Sequence, residues 1–499
     1  MYYLSTRDDK VKVTASQAVL KGLSDDGGLF VPEEIPALTT SLEELSRMDY
    51  RQVAYDVMSR FFTDYTEDEL KSCIERAYDS KFETKNIAEL KKADGAWFLE
   101  LYHGKTIAFK DMALSILPHL LTTAAKKNNV SEEIVILTAT SGDTGKAALA
   151  GFQDVPGTRI IVFYPKDGVS RVQELQMVTQ KGENTKVIAI RGNFDDAQTG
   201  VKKMFNDRDL NERLKKNGFL FSSANSINIG RLIPQVVYYV YAYSRLLGNG
   251  EIKPGEKINI VVPTGNFGNI LAAYYAKKMG LPVNKLICAS NENKVLFDFF
   301  TTGTYDRNRP FILTSSPSMD ILISSNLERL IYHAAGNSSS KCRALMEELS
   351  SNGRYTVSDE MKANITDFVG GFATEAETKA VIGRIFKNDS YVIDTHTAVA
   401  ASVYEKYRET TGDNTVSVIA STASPYKFSG AVVSGIKGNG EAGDKKTTDE
   451  FAIIDELQKL SGLPLPEAVK EIKTAEVRHT TVCDADKMQA EVEKTLGIH

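Results

Sequence analysis

The chain alternates short, almost continuous apolar runs with amphipathic stretches from about residue 96 onward. Apolar runs without alternation are typical of parallel strands that are covered on both faces, and the intervening stretches space their apolar residues as helices do. This order predicts a layered α/β core. The predicted strands are EEIVILTAT (132–140), TRIIVFYP (158–165), TKVIAIRG (185–192), KINIVVPT (257–264), NKLICAS (284–290) and TVSVIAST (415–422).

Helices are predicted between these strands. One segment, RLIPQVVYYVYAYSRLLG (231–248), predicts a long buried helix in which Pro234 is expected in the first turn, where a proline is tolerated. The other helix predictions are GKAALAGF (145–152), VQELQMVTQ (172–180), AQTGVKKMFN (197–206) and ILAAYYAKKMG (270–280).

The pattern divides the chain into three predicted parts. Residues 1–95 are mainly amphipathic and predict a helical N-terminal domain, in which the turn-rich segment 22–36 is expected to be an ordered loop. Residues 96–440 hold the predicted α/β core. The glycine-rich, charged segment 435–450 predicts the end of the core and a link to a short helical tail, 441–499.

Composition and charge exclude several classes of protein. Of the 499 residues, 42% are hydrophobic and 25% are charged, which is ordinary for a globular protein and unlike a disordered, coiled-coil or collagen-like chain. The formal net charge of −5 gives no general attraction for nucleic acid or an anionic membrane, so an anionic ligand needs a local site. No apolar run approaches the roughly 18 residues of a membrane span, and Asp8 and Asp9 stand where a signal peptide would be apolar.

The cysteines and histidines offer no metal-binding pattern. Cys73, Cys288, Cys342 and Cys483 lie far apart without a CxxC pair, and the six histidines have no metal-ligand spacing. We therefore assign no metal ligand and expect a reducing, cytoplasmic environment. The expected partner is a small molecule rather than nucleic acid or membrane, and the expected assembly is a monomer or homodimer.

Ligands of α/β sheets bind at the carboxyl ends of strands, where one loop resembles a phosphate cradle. In VVPTGNFGN (261–269), Gly265 and Gly268 bracket a turn between a predicted strand and a predicted helix. Backbone N–H groups and the helix N-terminus there suit an anion such as phosphate. A tight turn that simply requires glycine explains the same spacing equally well.

Two further loops follow predicted strands. In LTATSGDTG (137–145), Ser141, Asp143 and Thr144 are natural helix caps, and capping alone explains them. The loop lacks the first glycine of a nucleotide-binding P-loop, which excludes a nucleoside triphosphatase. In the third loop, IASTASPYKFSGAV (419–432), Thr422 lies at the end of a predicted strand. By itself this loop indicates only a polar turn.

Lys110 is unusual because its sequence neighbours are mainly apolar: Ala108, Phe109, Met112 and Ala113. Desolvation lowers the pKa of a lysine and makes its amine a nucleophile or a Schiff-base former. A lysine whose amine extends to solvent along its apolar stem is the commoner arrangement. The local sequence leaves both interpretations open.

Taken together and in order, these segments resemble the threonine synthase family of pyridoxal-phosphate (PLP) enzymes, of the fold type II class. The resemblance runs from about residue 4 to 435, and the chain beyond about 440 contributes little to it. The matching strings are STRD, KGLSDDGGLFVPEEIP, HGKTIAFKDMAL, LTATSGDTG, NSINIGRLIPQ, VVPTGNFGN, SSPSMDILISSNLERL, DTHTAVA and STASPYKFSGAV. The resemblance implies two open α/β subdomains with the cofactor between them.

The resemblance also implies a reaction, in which O-phospho-L-homoserine and water give L-threonine and phosphate. It implies that Lys110 is the catalytic lysine that bonds the PLP aldehyde, that the turn 265–269 holds the PLP phosphate, and that Thr422 faces the pyridine nitrogen. The implied cofactor contacts are Phe109, Lys110, Asp143, Gly265, Asn266, Phe267, Gly268, Asn269 and Thr422.

For the substrate, the turn 141–145 suits the α-carboxylate, and a phosphate dianion requires cations. Arg231 and Lys105 are the candidate cations. Lys105 departs from the family pattern, which generally has proline there, and it is either a phosphate contact or a solvated side chain. The candidate substrate contacts are Lys105, Ser141, Gly142, Thr144, Asn228 and Arg231.

A negative charge on Asp143 would be unfavourable next to the cofactor. Many fold type II enzymes have asparagine at this position, facing the phenolic oxygen of PLP, and an aspartate anion there would be repelled. We therefore expect Asp143 to be protonated, paired with a cation or turned away.

Other functions remain open at this stage. A PLP-dependent lyase that releases a 2-oxo acid, ammonia and phosphate would need the same lysine and the same glycine turn. A non-catalytic PLP-fold module is disfavoured by Lys110, the GNFGN turn and Thr422. A serine dehydratase or β-replacing synthase is less compatible with the string AFKDMA around the lysine.

Overall fold

The computed structural model describes residues 1–140, 142–438 and 449–498 of the chain. The N-terminal elements are β1 (Tyr2–Ser5), β2 (Lys12–Thr14), α1 (Ala15–Lys21), β3 (Phe30–Pro32), α2 (Leu42–Leu45), α3 (Tyr50–Phe61) and α4 (Glu67–Ala77). The three strands form an antiparallel sheet with β1 in the centre. The prediction that 22–36 is only a loop is wrong at residues 30–32, because this buried segment pairs with β1.

The core elements follow in chain order. The first group is β4 (Glu89–Ala93), β5 (Ala96–Glu100), α5 (Lys110–Leu114), α6 (Leu117–Lys127), β6 (Glu133–Ala139), α7 (Asp143–Phe152), β7 (Thr158–Pro165), α8 (Arg171–Val178), β8 (Thr185–Arg191), α9 (Phe194–Asn206), α10 (Arg208–Lys216), β9 (Phe219–Ser222) and α11 (Ile229–Gly248). The second group is β10 (Ile258–Pro263), α12 (Gly268–Lys278), β11 (Val283–Ser290), α13 (Val295–Thr302), β12 (Thr304–Asp306), α14 (Leu327–Ala334), α15 (Ser339–Asn352), β13 (Arg354–Thr356), α16 (Asp359–Ala363), β14 (Phe368–Phe372), α17 (Glu375–Asp389), α18 (Thr395–Thr411), β15 (Ser417–Ser421) and α19 (Ser429–Lys437).

The C-terminal elements complete the chain. They are α20 (Glu450–Ser461), α21 (Glu467–Thr474), β16 (Thr481–Asp484) and α22 (Met488–Leu496). Short 3₁₀ helices lie at Pro317–Met319, Pro425–Phe428 and Ala485–Lys487.

Two sheets with helical layers form the core, which confirms the predicted α/β class with two subdomains. One sheet is parallel throughout, in the order β16-β8-β7-β6-β9. The other has the order β14-β11-β10-β15-β5-β4 and is parallel except at the pair β4 and β5. All six predicted strands are present, as β6, β7, β8, β10, β11 and β15. Every residue of β10 is buried, as expected for a strand that is covered on both faces.

Helix α11 is the predicted long buried helix, but it begins earlier than its apolar pattern indicates. Its N-cap is Asn228, whose side-chain oxygen accepts the Gly230 N–H at 2.8 Å. The expected position of Pro234 in the first turn is therefore wrong, because the proline lies in the second turn. A proline at that place leaves one backbone carbonyl of the preceding turn without its helical donor.

The C-terminal part is mainly helical, as predicted, but it also contributes a strand. β16 pairs in parallel with β8, with Val482 opposite Ala189, and so extends the five-stranded sheet. Residues 439–448 of the predicted link 435–450 lie outside the described residues. In the described ranges, no helix combines the length and apolar character needed to cross a bilayer.

Candidate active site

The segment that leads into α5 runs beside the chain that leaves β15. The Phe109 N–H donates to the Thr422 carbonyl oxygen at 2.8 Å, and Ala108 forms an isolated antiparallel bridge with Ala423. Lys110 is the first residue of α5. The fold therefore brings Lys110 and Thr422, which are distant in sequence, to the same carboxyl edge of the six-stranded sheet.

The Lys110 amine is buried and does not extend into bulk solvent. Its side chain is 12% exposed, and Nζ lies 3.4 Å from Oδ2 of Asp143 and 3.5 Å from Oγ of Ser318. Burial lowers the pKa of Lys110; the Asp143 carboxylate opposes this shift, while the charges of Lys427 and Arg231 add to it. A buried amine with a lowered pKa is suited to act as a nucleophile and base.

Asp143 is paired with cations, which is one of the three arrangements expected from its position in the sequence. Oδ1 lies 3.1 Å from Nζ of Lys427 and accepts a hydrogen bond from Nε2 of Gln173 at 3.2 Å. Oδ2 accepts from Oγ of Ser318 at 3.2 Å and faces Lys110. Burial favours the neutral acid, but the charges of Lys427 and Lys110 outweigh it and hold the pKa of Asp143 well below its ordinary value.

The glycine turn packs against the backbone of a distant loop. A Cβ atom on Gly265 would lie 2.4 Å from the Ser318 carbonyl oxygen, so only glycine fits at this close approach. The Asn326 N–H donates to the Asn266 carbonyl at 3.1 Å. Phe267 adopts a left-handed φ of 66°, which turns the chain into α12. The turn and the Lys110 amine are thus joined through one residue, Ser318.

Asn269 in this turn and Arg231 in α11 each have a buried donor without a hydrogen-bond partner among the described residues, which fits a phosphate-bearing ligand. Oδ1 of Asn269 accepts from the Tyr238 and Tyr239 hydroxyls at 2.7 and 2.5 Å, whereas its buried Nδ2 has no hydrogen-bond partner among the described residues. Arg231 is 4% exposed, and its Nη1 donates to the Ala224 carbonyl at 2.7 Å. Its Nε is likewise buried without a partner in the described part of the chain, and burial lowers its pKa to about 10. Buried donors and an uncompensated buried cation are the chemistry that a phosphate group satisfies.

Several sequence candidates have other contacts. The amide of Asn228 caps α11 and donates to the Val19 carbonyl at 3.0 Å, so its contacts are structural. Lys105 is exposed. The Gly142 N–H donates to the Thr140 hydroxyl at 3.0 Å. Their assignment to the substrate stays a prediction.

The structure gives little information on the two remaining candidates for substrate binding. Thr144 is half-buried in the first turn of α7, and Ser141 lies outside the described residues. In the ranges that the structure describes, no cluster of three His, Cys, Asp or Glu side chains has the geometry to hold a metal ion.

Sequence reasoning missed four residues that the fold adds to this neighbourhood. Lys427, Ser318 and His396 lie in strings that carry the family resemblance, but nothing in their spacing connects them with Lys110. Lys146 follows the SGDTG turn by one residue; burial lowers its pKa to about 8, and its Nζ donates to Oε1 of Gln180 at 2.8 Å. Lys146 and Lys427 lie in helices that follow β6 and β15, so position after a core strand was an available signal for these two. Ser318 and His396 follow no core strand directly, and the sequence contains no such signal for them.

Three family profiles match this chain. The profile described as "Threonine synthase N terminus" matches residues 2–78, "Pyridoxal-phosphate dependent enzyme" matches 82–422, and "Threonine synthase, C-terminal" matches 397–492. The second match covers more than half of the chain and includes Lys110, the turn 265–269 and Thr422.

Individual relatives agree with the profiles. Human "Threonine synthase-like 1" is 38% identical over 507 residues, which is 97% of this chain and 67% of the relative. "Threonine synthase" of Schizosaccharomyces pombe is 37% identical, covering 86% of this chain and 88% of the relative. The crystal structure of "PLP bound Threonine synthase from Brucella melitensis" superposes with a TM-score of 0.86 at 34% identity, covering 99% of this chain and 98% of that one. The chain therefore belongs to the threonine synthase family of pyridoxal-phosphate-dependent enzymes, which are lyases.

Proposed function

We propose that this chain is a threonine synthase that converts O-phospho-L-homoserine and water to L-threonine and phosphate in the cytoplasm. The observation that carries the proposal is the buried Lys110 amine, which Ser318 links to the glycine turn 265–269 and which lies near the buried cation Arg231. The four cysteines are buried free thiols, which a reducing cytoplasm permits.

Lys110 is the proposed cofactor-bonding lysine and the base of the reaction. PLP, when bound, supplies an electron sink for charge that develops on the substrate carbons. The Lys110 amine removes the proton at Cα of the substrate and then one at Cβ, and it returns protons at Cγ and Cα. Phosphate leaves from Cγ and water adds at Cβ as a hydroxyl group, with the remaining water proton passing to the released phosphate. The two protons that Lys110 removes from the substrate are the two that it returns.

Asp143 and Lys427 set the charge around this amine. The Asp143 carboxylate faces Lys110, and Lys427 neutralises it from the other side at 3.1 Å. Because Lys427 offsets the carboxylate, Asp143 does not hold the Lys110 proton as firmly as an unpaired buried anion would. The amine therefore releases its proton more readily than an exposed lysine does, because burial lowers its pKa.

The anionic groups of cofactor and substrate have separate proposed partners. The N–H groups of the turn 265–269 and Nδ2 of Asn269, which has no partner among the described residues, would hold the cofactor phosphate. Arg231 would bind the substrate phosphate with Nε, which has no partner in the described ranges of the chain. Thr422 would face the pyridine nitrogen as a neutral hydroxyl.

Product analysis of the purified protein tests this proposal. The protein is supplied with PLP and O-phospho-L-homoserine, and amino acids, 2-oxo acids, ammonia and phosphate are quantified. We expect threonine and phosphate in equal amounts. Lys110→Ala should lose the visible absorption of lysine-bound PLP and about 10²- to 10⁴-fold in turnover, whereas Lys71→Ala, on the exposed surface of α4, should retain both.

Other products identify the alternatives. Release of 2-oxobutyrate and ammonia instead of threonine would identify the phospho-amino-acid lyase. A protein that cannot be loaded with PLP would identify a non-catalytic module of the same fold.

A further inference from the structure

Ser318 contacts four residues of the candidate site: Lys110, Asp143, Gly265 and His396. Its Oγ donates to Oδ2 of Asp143 at 3.2 Å and accepts from Nζ of Lys110 at 3.5 Å. Its carbonyl oxygen faces Gly265 closely enough to exclude a side chain there. Its N–H donates to Nε2 of His396 at 3.1 Å. The residue belongs to the short 3₁₀ helix Pro317–Met319. This helix does not directly follow any of the core strands whose carboxyl ends form the site.

The imidazole of His396 is held in one orientation and one protonation pattern. Its ring is 4% exposed, and Nδ1 lies 3.0 Å from Oδ2 of Asp394. A backbone N–H can only donate, so Nε2 must accept from Ser318 and the ring proton must lie on Nδ1, toward Asp394. Phe428 packs against the ring at a centroid distance of 4.8 Å.

Helix capping alone does not account for this histidine. Asp394 caps α18 by accepting the backbone N–H groups of His396 and Thr397, and both contacts would persist with another side chain at 396. The loop around Ser318 is also held independently, because Thr395 donates to the Ser315 carbonyl at 2.7 Å. The hydrogen bond to the Ser318 N–H therefore depends on the imidazole itself, and this bond fixes the Ser318 backbone.

We propose that Ser318 is a catalytic residue whose hydroxyl orients the Lys110 amine, and that His396, fixed by Asp394, is the positioning residue that keeps Ser318 there. The inference rests on the proposed role of Lys110 as the reactive lysine. Lys110 donates to Ser318, and Ser318 donates to Asp143, so the amine has a defined direction in addition to its ion pair. Such orientation matters because a displacement of about 1 Å at a reacting group can cost on the order of 100-fold in rate.

Two pairs of variants test the proposal. Ser318→Ala removes the hydroxyl, and its control Ser315→Ala removes a hydroxyl of the same loop that bonds Glu375. His396→Asn can still donate to Asp394 but is too short to reach Ser318, whereas His396→Gln can supply an acceptor to the Ser318 N–H. The measurements are kcat, KM and the visible absorption of the PLP-loaded protein. In addition, the apoprotein is treated with an amine reagent at a series of pH values, and peptide mass spectrometry measures how much of Lys110 is labelled at each pH.

We expect kcat to fall about 10- to 100-fold in Ser318→Ala and His396→Asn, with KM and the visible absorption retained, and to recover substantially in His396→Gln. Labelling of Lys110 should move to lower pH in Ser318→Ala because the ammonium loses an acceptor, and it should not move in Ser315→Ala. Wild-type kcat together with an unshifted labelling profile in Ser318→Ala would overturn the role of Ser318. Equal losses in His396→Asn and His396→Gln would overturn that of His396.

The labelling readout separates this inference from the proposed function. If the wild-type protein makes no threonine but Ser318→Ala still shifts the labelling profile, the proposed reaction is wrong and the pairing of Ser318 with Lys110 stands. If threonine is made and neither kcat nor labelling responds to Ser318→Ala, the inference is wrong and the proposed reaction stands.

Discussion

Lys427 and Asp143 form an ion pair of 3.1 Å inside the candidate site, with side chains that are 3% and 11% exposed. The two residues lie on opposite subdomains, since Asp143 begins α7 behind the five-stranded sheet and Lys427 follows β15 of the six-stranded sheet. The pair explains how the Asp143 carboxylate is accommodated in a buried site. It also joins the two subdomains beside Lys110, which is the proposed cofactor-bonding lysine.

Removing the Lys427 charge should destabilise the protein strongly. Lys427→Met leaves the Asp143 carboxylate buried with only Lys110 as its cation, and breaking a buried pair costs about 3–5 kcal/mol. Urea unfolding at pH 7 measures the loss. Lys71→Met, which breaks the exposed pair with Glu67, should leave stability essentially unchanged, because water screens an exposed ion pair. Equal stability of the two variants would contradict the expectation.

A methyl group on Gly265 should weaken cofactor binding. Its Cβ would lie 2.4 Å from the backbone oxygen of Ser318, so the turn must shift. Overpacking of this kind costs about 1–3 kcal/mol, which corresponds to roughly 5- to 150-fold in PLP affinity. Titration of the apoprotein with PLP measures the change. Gly430→Ala is the control, because a Cβ there meets nothing within 4 Å, and its PLP affinity should equal that of the wild type.

Arg231→Met should raise KM for O-phospho-L-homoserine while the visible absorption of bound PLP persists. Loss of one partner of a buried charged contact costs about 2–5 kcal/mol, so we expect an increase of at least about 30-fold. Steady-state kinetics measures KM, and Arg208→Met on the exposed surface of α10 is the control. An unchanged KM with weakened PLP binding would assign Arg231 to the cofactor phosphate instead.

His119 should make the protein less stable in acid. Burial lowers its pKa to about 4, with Arg76 and Lys81 contributing, while an unfolded histidine titrates near 6.5. Between these values the unfolded chain binds more protons than the folded protein, so stability falls as the pH drops from 6.5 toward 4. The loss attributable to this group is about 2–3 kcal/mol.

His119→Leu should remove that part of the pH dependence. His119 is 7% exposed, and its Nδ1 has no hydrogen-bond partner among the described residues. The Arg76 backbone, which bonds the ring, keeps Nζ of Lys81 as a donor to its carbonyl at 2.6 Å, so an apolar replacement leaves that carbonyl satisfied. Comparing urea unfolding at pH 7 and pH 4.5 for both proteins checks this. The same acid loss in His119→Leu as in the wild type would contradict the expectation.

The local sequence pattern was sufficient to predict those elements whose characteristic residues all lie within one segment of the chain. The strands β6, β7, β8, β10, β11 and β15 were predictable because strands covered on both faces are apolar throughout. Lys110 and the turn 265–269 were recognisable as candidates from their apolar neighbours and from glycine spacing. Their assignment to one site came from the order of the strings that resemble the family, and physical patterns alone left each of them open.

Tertiary structure decided the features that depend on contacts between distant segments. β3 and β16 are too short to carry a periodic signal, and they exist because β1 and β8 offer backbone partners. The sequence by itself determined the α/β core, the reactive lysine candidate and the glycine turn. Only the folded chain paired Asp143 with Lys427 and set Ser318 between Lys110 and His396, because no rule of sequence spacing governs which side chains meet when two subdomains close on each other.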